Sequence, residues 1–357
     1  MLETLVLGVR AVVAVGLFLI GGGVVQAMEP EHNVGIRQFT VPYYGLPIDA
    51  AIWYPTERES RSIDAVSVLI EAAPDAPIKP GKYPLLVLSH GTGGMKLNHY
   101  PFAQAFAKAG YVVVSLTHPG DNFRDRSMIA DPRYFYERPR QISRVIDFVL
   151  ANPDWAVMVD QNRIAALGHS AGGYAVAAMI GAIPNLDRLE SHCRKTTDDP
   201  ACDYADPALG ILEQAGPALK LPEQVKPSGD LRDARIKAAI LLAPLGAVVE
   251  PGSLARTQIP VRLIGAEHDE ILARRYHFDY LAAELQGPQA DSRTRVSIAR
   301  NAGHFSFLAP FKPAFIEATR STLGAVVVPR PGVNRASLQQ SILLELRPWL
   351  REALLNP

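Results

Sequence analysis

The sequence predicts an α/β fold: a doubly wound, mostly parallel sheet in one domain spanning residues 28–357. Three observations predict it. Short continuous apolar runs recur at 85–89, 111–116, 164–167, 238–242, 261–264 and 295–298, the pattern of strands buried on both faces. Helical patterns lie between them at 100–109, 139–150, 171–180, 271–285 and 313–323, as crossovers between parallel strands require. Finally, 357 residues of which 48% are hydrophobic can bury a single large core.

In chain order, the first element is a leader. Residues 11–20 are apolar throughout, follow Arg10, and lead into Gly21 to Gly23. Val25 and Ala27 then suit the small-residue pockets of a signal peptidase. The expectation is a cleaved signal peptide over 1–27, with Met28 as the new terminus and a periplasmic or secreted product. An uncleaved anchor is the alternative, because 4–25 is nearly long enough to span a bilayer. No cysteine stands at the cleavage point, which argues against a lipid anchor and for no stable membrane insertion after cleavage.

Two β-rich runs follow, 34–41 and 48–54, separated by Tyr44-Gly45-Leu46-Pro47 and read as an antiparallel hairpin. Residues 58–82, mixed in Pro, Ala and Asp, read as an irregular surface connection. After the strands and helices named above, 184–233 breaks their rhythm. It reads as a cap-like insertion over the C-terminal edge of the sheet, where α/β proteins keep their sites. A last helix, capped by Asn334 and apolar at Leu338, Ile342, Leu346, Trp349 and Leu350, packs on the core.

Thirty-six basic residues balance thirty-six acidic ones, so nothing in the charge favours nucleic acid or an anionic membrane surface. The only cysteines, Cys193 and Cys202, lie in the insertion. In an exported chain they are expected to form a disulfide, and two cysteines alone do not fill a zinc shell, so no metal is expected.

Chemistry concentrates at Gly168-His169-Ser170-Ala171-Gly172, which matches the G-x-S-x-G elbow between the strand at 164–167 and the helix at 171–180. Such a turn holds the serine in a strained conformation with its hydroxyl exposed. A serine needs a base to become a nucleophile, and the base needs a carboxylate to orient it. The histidines after Ser170 are His192, His268, His277 and His304. His304 follows the last core strand, whereas His192 belongs to the insertion and His277 to a helical pattern. His304 is therefore the expected base. Asp269, in the loop after 261–264, is the expected acid, with Glu267 and Glu250 as competitors. The developing oxyanion calls for backbone donors, expected from Ala171 and from Thr92 in His90-Gly91-Thr92-Gly93-Gly94.

These motifs, with Thr-His-Pro-Gly-Asp-Asn at 117–122, the run at 138–147 and Gly-Ala-Glu-His-Asp at 265–269, resemble bacterial predicted dienelactone hydrolases and their platelet-activating factor acetylhydrolase relatives. The resemblance covers about 34–304 and implies the α/β-hydrolase fold and serine-hydrolase machinery. It departs from dienelactone hydrolases proper, whose nucleophile is cysteine, and from the acetylhydrolases, whose acid follows an earlier strand. Here that strand runs into Ala243-Pro244-Leu245-Gly246. The expected activity is hydrolysis of a small-molecule carboxylic ester without cofactor. An amidase or peptidase using the same residues, and a non-catalytic binding protein on the same scaffold, are the alternatives.

Overall fold

The structure, a computed structural model, describes residues 31–205, 219–223, 225–227 and 229–355. The leader at 1–27 and part of the insertion lie outside the described residues. Strands β1 (Asn33–Val41) and β2 (Ile48–Thr56) form the expected antiparallel hairpin. The next segment differs from its sequence reading. Residues 58–82 hold a second hairpin, β3 (Arg61–Ala65) and β4 (Val68–Pro74), with β4 pairing parallel to β1. Val68, Ile70 and Ala72 alternate inward along β4, a period-two signal obscured by the Pro, Asp and Ala around it.

The chain then enters the parallel body through β5 (Tyr83–Ser89), α1 (Tyr100–Lys108), β6 (Val112–Thr117), α2 (Tyr134–Ala151), α3 (Pro153–Ala156) and β7 (Val159–His169). It continues through α4 (Ala171–Met179), α5 (Leu186–Lys195), β8 (Ile236–Leu242), β9 (Val261–Ala266), α6 (Phe278–Leu285), β10 (Arg295–Ala299), α7 (Pro313–Leu323) and α8 (Arg335–Leu355). One ten-stranded sheet results, in the order β10-β9-β8-β7-β5-β6-β2-β1-β4-β3. Its strands from β10 to β6 pair in parallel, and β2 joins β6 antiparallel.

Helices cover both faces. Leu85 and Val87 point into a core shared with α2, α4 and α6, while Leu86 and Leu88 point into one shared with α1 and α8. That two-sided burial is why these strands read as unbroken apolar runs.

Two helix boundaries moved, each for a local reason. Helix α2 starts at Tyr134, a turn before Pro139. Proline cannot donate to the carbonyl of Phe135, and the Tyr174 hydroxyl donates there instead, at 3.0 Å. The helix expected over 271–285 begins only at Phe278. Asp269 Oδ1 accepts the N–H groups of Ile271 (3.0 Å) and Leu272 (2.7 Å), and Asp199 Oδ1 accepts that of Ala273 (3.2 Å). Side-chain acceptors thus hold these donors in a loop.

Candidate active site

The elbow forms at the C-terminal end of β7. Ser170 has φ 57° and ψ −121°, a left-handed conformation that a side chain adopts only when its surroundings impose it. Backbone bonds from Ser170 N–H to the Leu242 carbonyl (3.0 Å) and to the Ser170 carbonyl from Tyr174 and Leu245 N–H (3.0 and 3.1 Å) hold it. Glycine at 168 is obligatory: a Cβ there would stand 2.0 Å from the Gly172 carbonyl oxygen.

His304 sits in a short turn after β10, with its side chain buried. Its Nδ1–H donates to Asp269 Oδ2 at 2.9 Å, which in the neutral imidazole puts the lone pair on Nε2. Two further contacts fix its backbone: His304 N–H donates to Glu270 Oε2 (2.8 Å), and its carbonyl accepts from His169 Nε2 (2.9 Å). The variable position of the elbow motif therefore ties the serine's own turn to His304. The His169 and His304 rings lie 4.8 Å apart. Among the described residues the Ser170 hydroxyl makes no hydrogen bond, a looseness common in unliganded serine sites.

The carboxylates weighed from sequence separate by geometry. Glu267 Oε2 accepts the Asn301 N–H at 2.6 Å, and Glu250 bonds the Asn185 side chain within the insertion. Asp269 is the one of the three that reaches the imidazole.

The loop after β5 lies against Ser170, since a Cβ added to Gly91 would be 3.0 Å from Ser170 Cβ. Gly93 N–H is taken by Asp121 Oδ1 (2.7 Å) and Gly94 N–H by the Gly91 carbonyl (3.1 Å). The N–H groups of Thr92 and Ala171 have no acceptor among the described residues.

Sequence reasoning assigned His118 and Asp121 no catalytic role, reading them as shaping the site wall, and did not single out Arg138 or Tyr134. All four are buried and carry this loop. Arg138 pairs with Asp121 and donates to the His90 carbonyl. Tyr134 donates to Asp121 Oδ2 (2.9 Å) and meets Thr92 Oγ1 (2.9 Å). His118 donates from Nδ1 to Gln141 Oε1 (2.6 Å), so its Nε2 accepts from the Ser89 hydroxyl (2.8 Å). Burial, aided by the Arg138 charge, holds the imidazoles of His90 and His118 well below the ordinary histidine range. They are neutral struts. The signal in the sequence was weak: polar residues on the apolar face of α2.

The insertion reaches the same region. Cys193 and Cys202 form the disulfide, and between them Asp199 turns inward. His277 Nδ1 accepts from Gly246 and Ala247 N–H (3.0 and 3.2 Å), so its Nε2–H donates to Asp199 Oδ2 (2.8 Å). His192 Nε2 bonds the same oxygen at 2.7 Å. Burial alone would raise the Asp199 pKa, but the bonds from His277 and His192 bring it down to about 2. His277 is thus a buried anchor at the start of α6. Cys202, His192 and Asp199 are close enough to suggest a metal site, but the sulfur is consumed by the disulfide.

The chain has the α/β-hydrolase fold. A family model described as BD-FAE matches residues 75–217. Among solved structures, a ferulic acid esterase from Streptomyces cinnamoneus is similar at 17% identity and TM-score 0.60, covering 93% of this chain and 92% of its own. A dienelactone hydrolase-like promiscuous phosphotriesterase from metagenomic libraries is similar at 14% identity and TM-score 0.52, covering 90% and 99%. No curated protein sequence matches this chain significantly.

Proposed function

We propose that the protein is a serine hydrolase of carboxylic esters, with Ser170 as nucleophile, His304 as base and Asp269 as the carboxylate that orients it. The observation that carries this reading is the Asp269–His304 bond beside a serine held at positive φ. His304 Nε2 takes the Ser170 proton as Oγ bonds to the ester carbonyl carbon. The N–H groups of Ala171 and Thr92 receive the oxyanion. The tetrahedral adduct collapses, the alcohol leaves with the proton from His304, and an acyl-serine remains. Water, deprotonated by His304, repeats the sequence and frees the acid. The esterase and hydrolase neighbours support this class of chemistry.

Export through cleavage after Ala27 belongs to the same proposal, and the Cys193–Cys202 disulfide supports an oxidising compartment. The mature unit would then be 28–357. Among the described residues no helix is long and apolar enough to cross a membrane. The test is covalent labelling with a fluorophosphonate probe alongside turnover of p-nitrophenyl esters. Both should vanish in Ser170→Ala, and turnover should vanish in His304→Ala, with the thermal midpoint of each variant nearly unchanged. Substantial turnover by Ser170→Ala would remove the nucleophile from the scheme.

A further inference from the structure

Beside the His304 turn lies a cavity of about 450 Å3 that the proposed chemistry does not use. It is open to solvent on one side and lined by Glu270, by Gly303, Phe305 and Ser306, by residues of the segment after α7, and by the first residue of α8, Arg335. Arg335 is 3% exposed. Its Nη2 donates to the carbonyls of Ala325 (3.2 Å) and Val326 (2.7 Å), but Nε and Nη1 are buried with no acceptor among the described residues. Burial pushes the Arg335 pKa down to about 10, against the opposing influence of Glu270. The guanidinium lies over the Phe311 ring at 5.4 Å, and among the described residues no carboxylate forms an ion pair with it.

The rest of the cavity has two characters. Arg320 and Arg330 stand exposed at its mouth, and Arg320 is within 3.3 Å of Glu317. The one acidic lining residue, Glu270, has an oxygen committed to the His304 N–H. The lining thus carries more positive than negative charge. Phe305, Val328, Pro329 and Pro331 supply apolar wall.

We infer that this cavity is a second binding site, for a small organic carboxylate with an apolar body. The carboxylate lies toward Arg335 and Arg330, and the body against Phe305, Val328 and Pro329. Inorganic anions lack the surface for the wall, and neutral isosteres leave the guanidinium uncompensated. The ligand touches Glu270, next to Asp269, and both neighbours of His304, so its occupancy bears on the backbone that carries acid and base. Binding itself does not depend on the hydrolase reading.

The experiment is calorimetric titration of full-length Ser170→Ala protein with benzoate, benzamide and inorganic phosphate. Benzoate should bind saturably, and benzamide and phosphate at least about tenfold more weakly. Arg335→Met should weaken benzoate by about tenfold or more, and so should Val328→Trp, which fills the cavity from an exposed position. Val328→Trp keeps the inference falsifiable if loss of the Ala325 and Val326 contacts unfolds the Arg335 variant. Benzoate affinity unchanged in Val328→Trp, benzamide binding as tightly as benzoate, or no saturable benzoate binding would each overturn the inference.

Discussion

Asp269→Asn is the most informative single substitution, because the structure dictates how the new amide must sit. Asp269 Oδ1 accepts two backbone N–H groups, from Ile271 at 3.0 Å and Leu272 at 2.7 Å. In the asparagine the carbonyl oxygen must occupy that position, since an NH2 there would face two donors. The NH2 is thereby placed against His304 Nδ1, where the carboxylate oxygen now lies at 2.9 Å. A donor facing Nδ1 selects the other tautomer, with the proton on Nε2, and the base loses the lone pair it needs for Ser170. Wrong-tautomer substitutions of this kind cost about 10^4 in kcat, about 5 kcal/mol in the barrier. The fold should be little affected, because both backbone bonds to Oδ1 survive. The assay is steady-state hydrolysis of p-nitrophenyl butyrate near pH 8, with the thermal midpoint measured in parallel. Glu267→Gln is the control: Glu267 Oε2 accepts the Asn301 N–H, with His268 Nε2 3.7 Å away, and glutamine can still accept that N–H. An Asp269→Asn enzyme retaining a tenth or more of kcat, or a reversal of the two effects, would refute the reasoning and return the acid to Glu267.

Other outcomes follow from the same structure. Arg138→Met removes the partner of buried Asp121 and the donor to the His90 carbonyl. It should cost about 3 kcal/mol of stability, and should lower kcat at least about tenfold with little change in KM, because oxyanion-loop alignment matters in the transition state. Lowered stability with kcat unchanged would make the network purely structural.

Acid should unfold the protein early. Burial lowers the pKa values of His90, His99, His118 and His169 from the ordinary 6.5, that of His99 to about 4. Below pH 6.5 the unfolded chain takes up protons that the folded chain refuses, so stability is full above that value and falls beneath it. His99 alone accounts for about 3 kcal/mol between pH 6.5 and 4. A flat denaturant midpoint over that range would contradict it. The exported protein should begin near Met28 and weigh two hydrogens less than its reduced form; two freely alkylated thiols in native protein would count against the bridge.

Much of this was written in local sequence. The parallel strands announced themselves because burial on both faces demands uninterrupted apolar runs, and the elbow because its tight turn demands glycine at 168. The hairpin of β3 and β4 was legible in principle in Val68, Ile70 and Ala72, but five residues of alternation amid Pro and Asp carry little weight without the partner strand. Other features had no local signature at all. Nothing near Arg138 in sequence says that Asp121 will meet it, and nothing near Asp199 says that His192 and His277 will share its oxygen. Arg335 gives no hint that it will be buried with two nitrogens lacking acceptors. Asp269 was preferred for its place in the loop after 261–264, but that its carboxylate and not that of Glu267 reaches His304, 35 residues away, is visible only in the fold. Periodicity and steric exclusion act between near neighbours and can be read along the chain. Pairing of buried polar groups is a compensation between distant segments, and only the tertiary fold decides which groups meet.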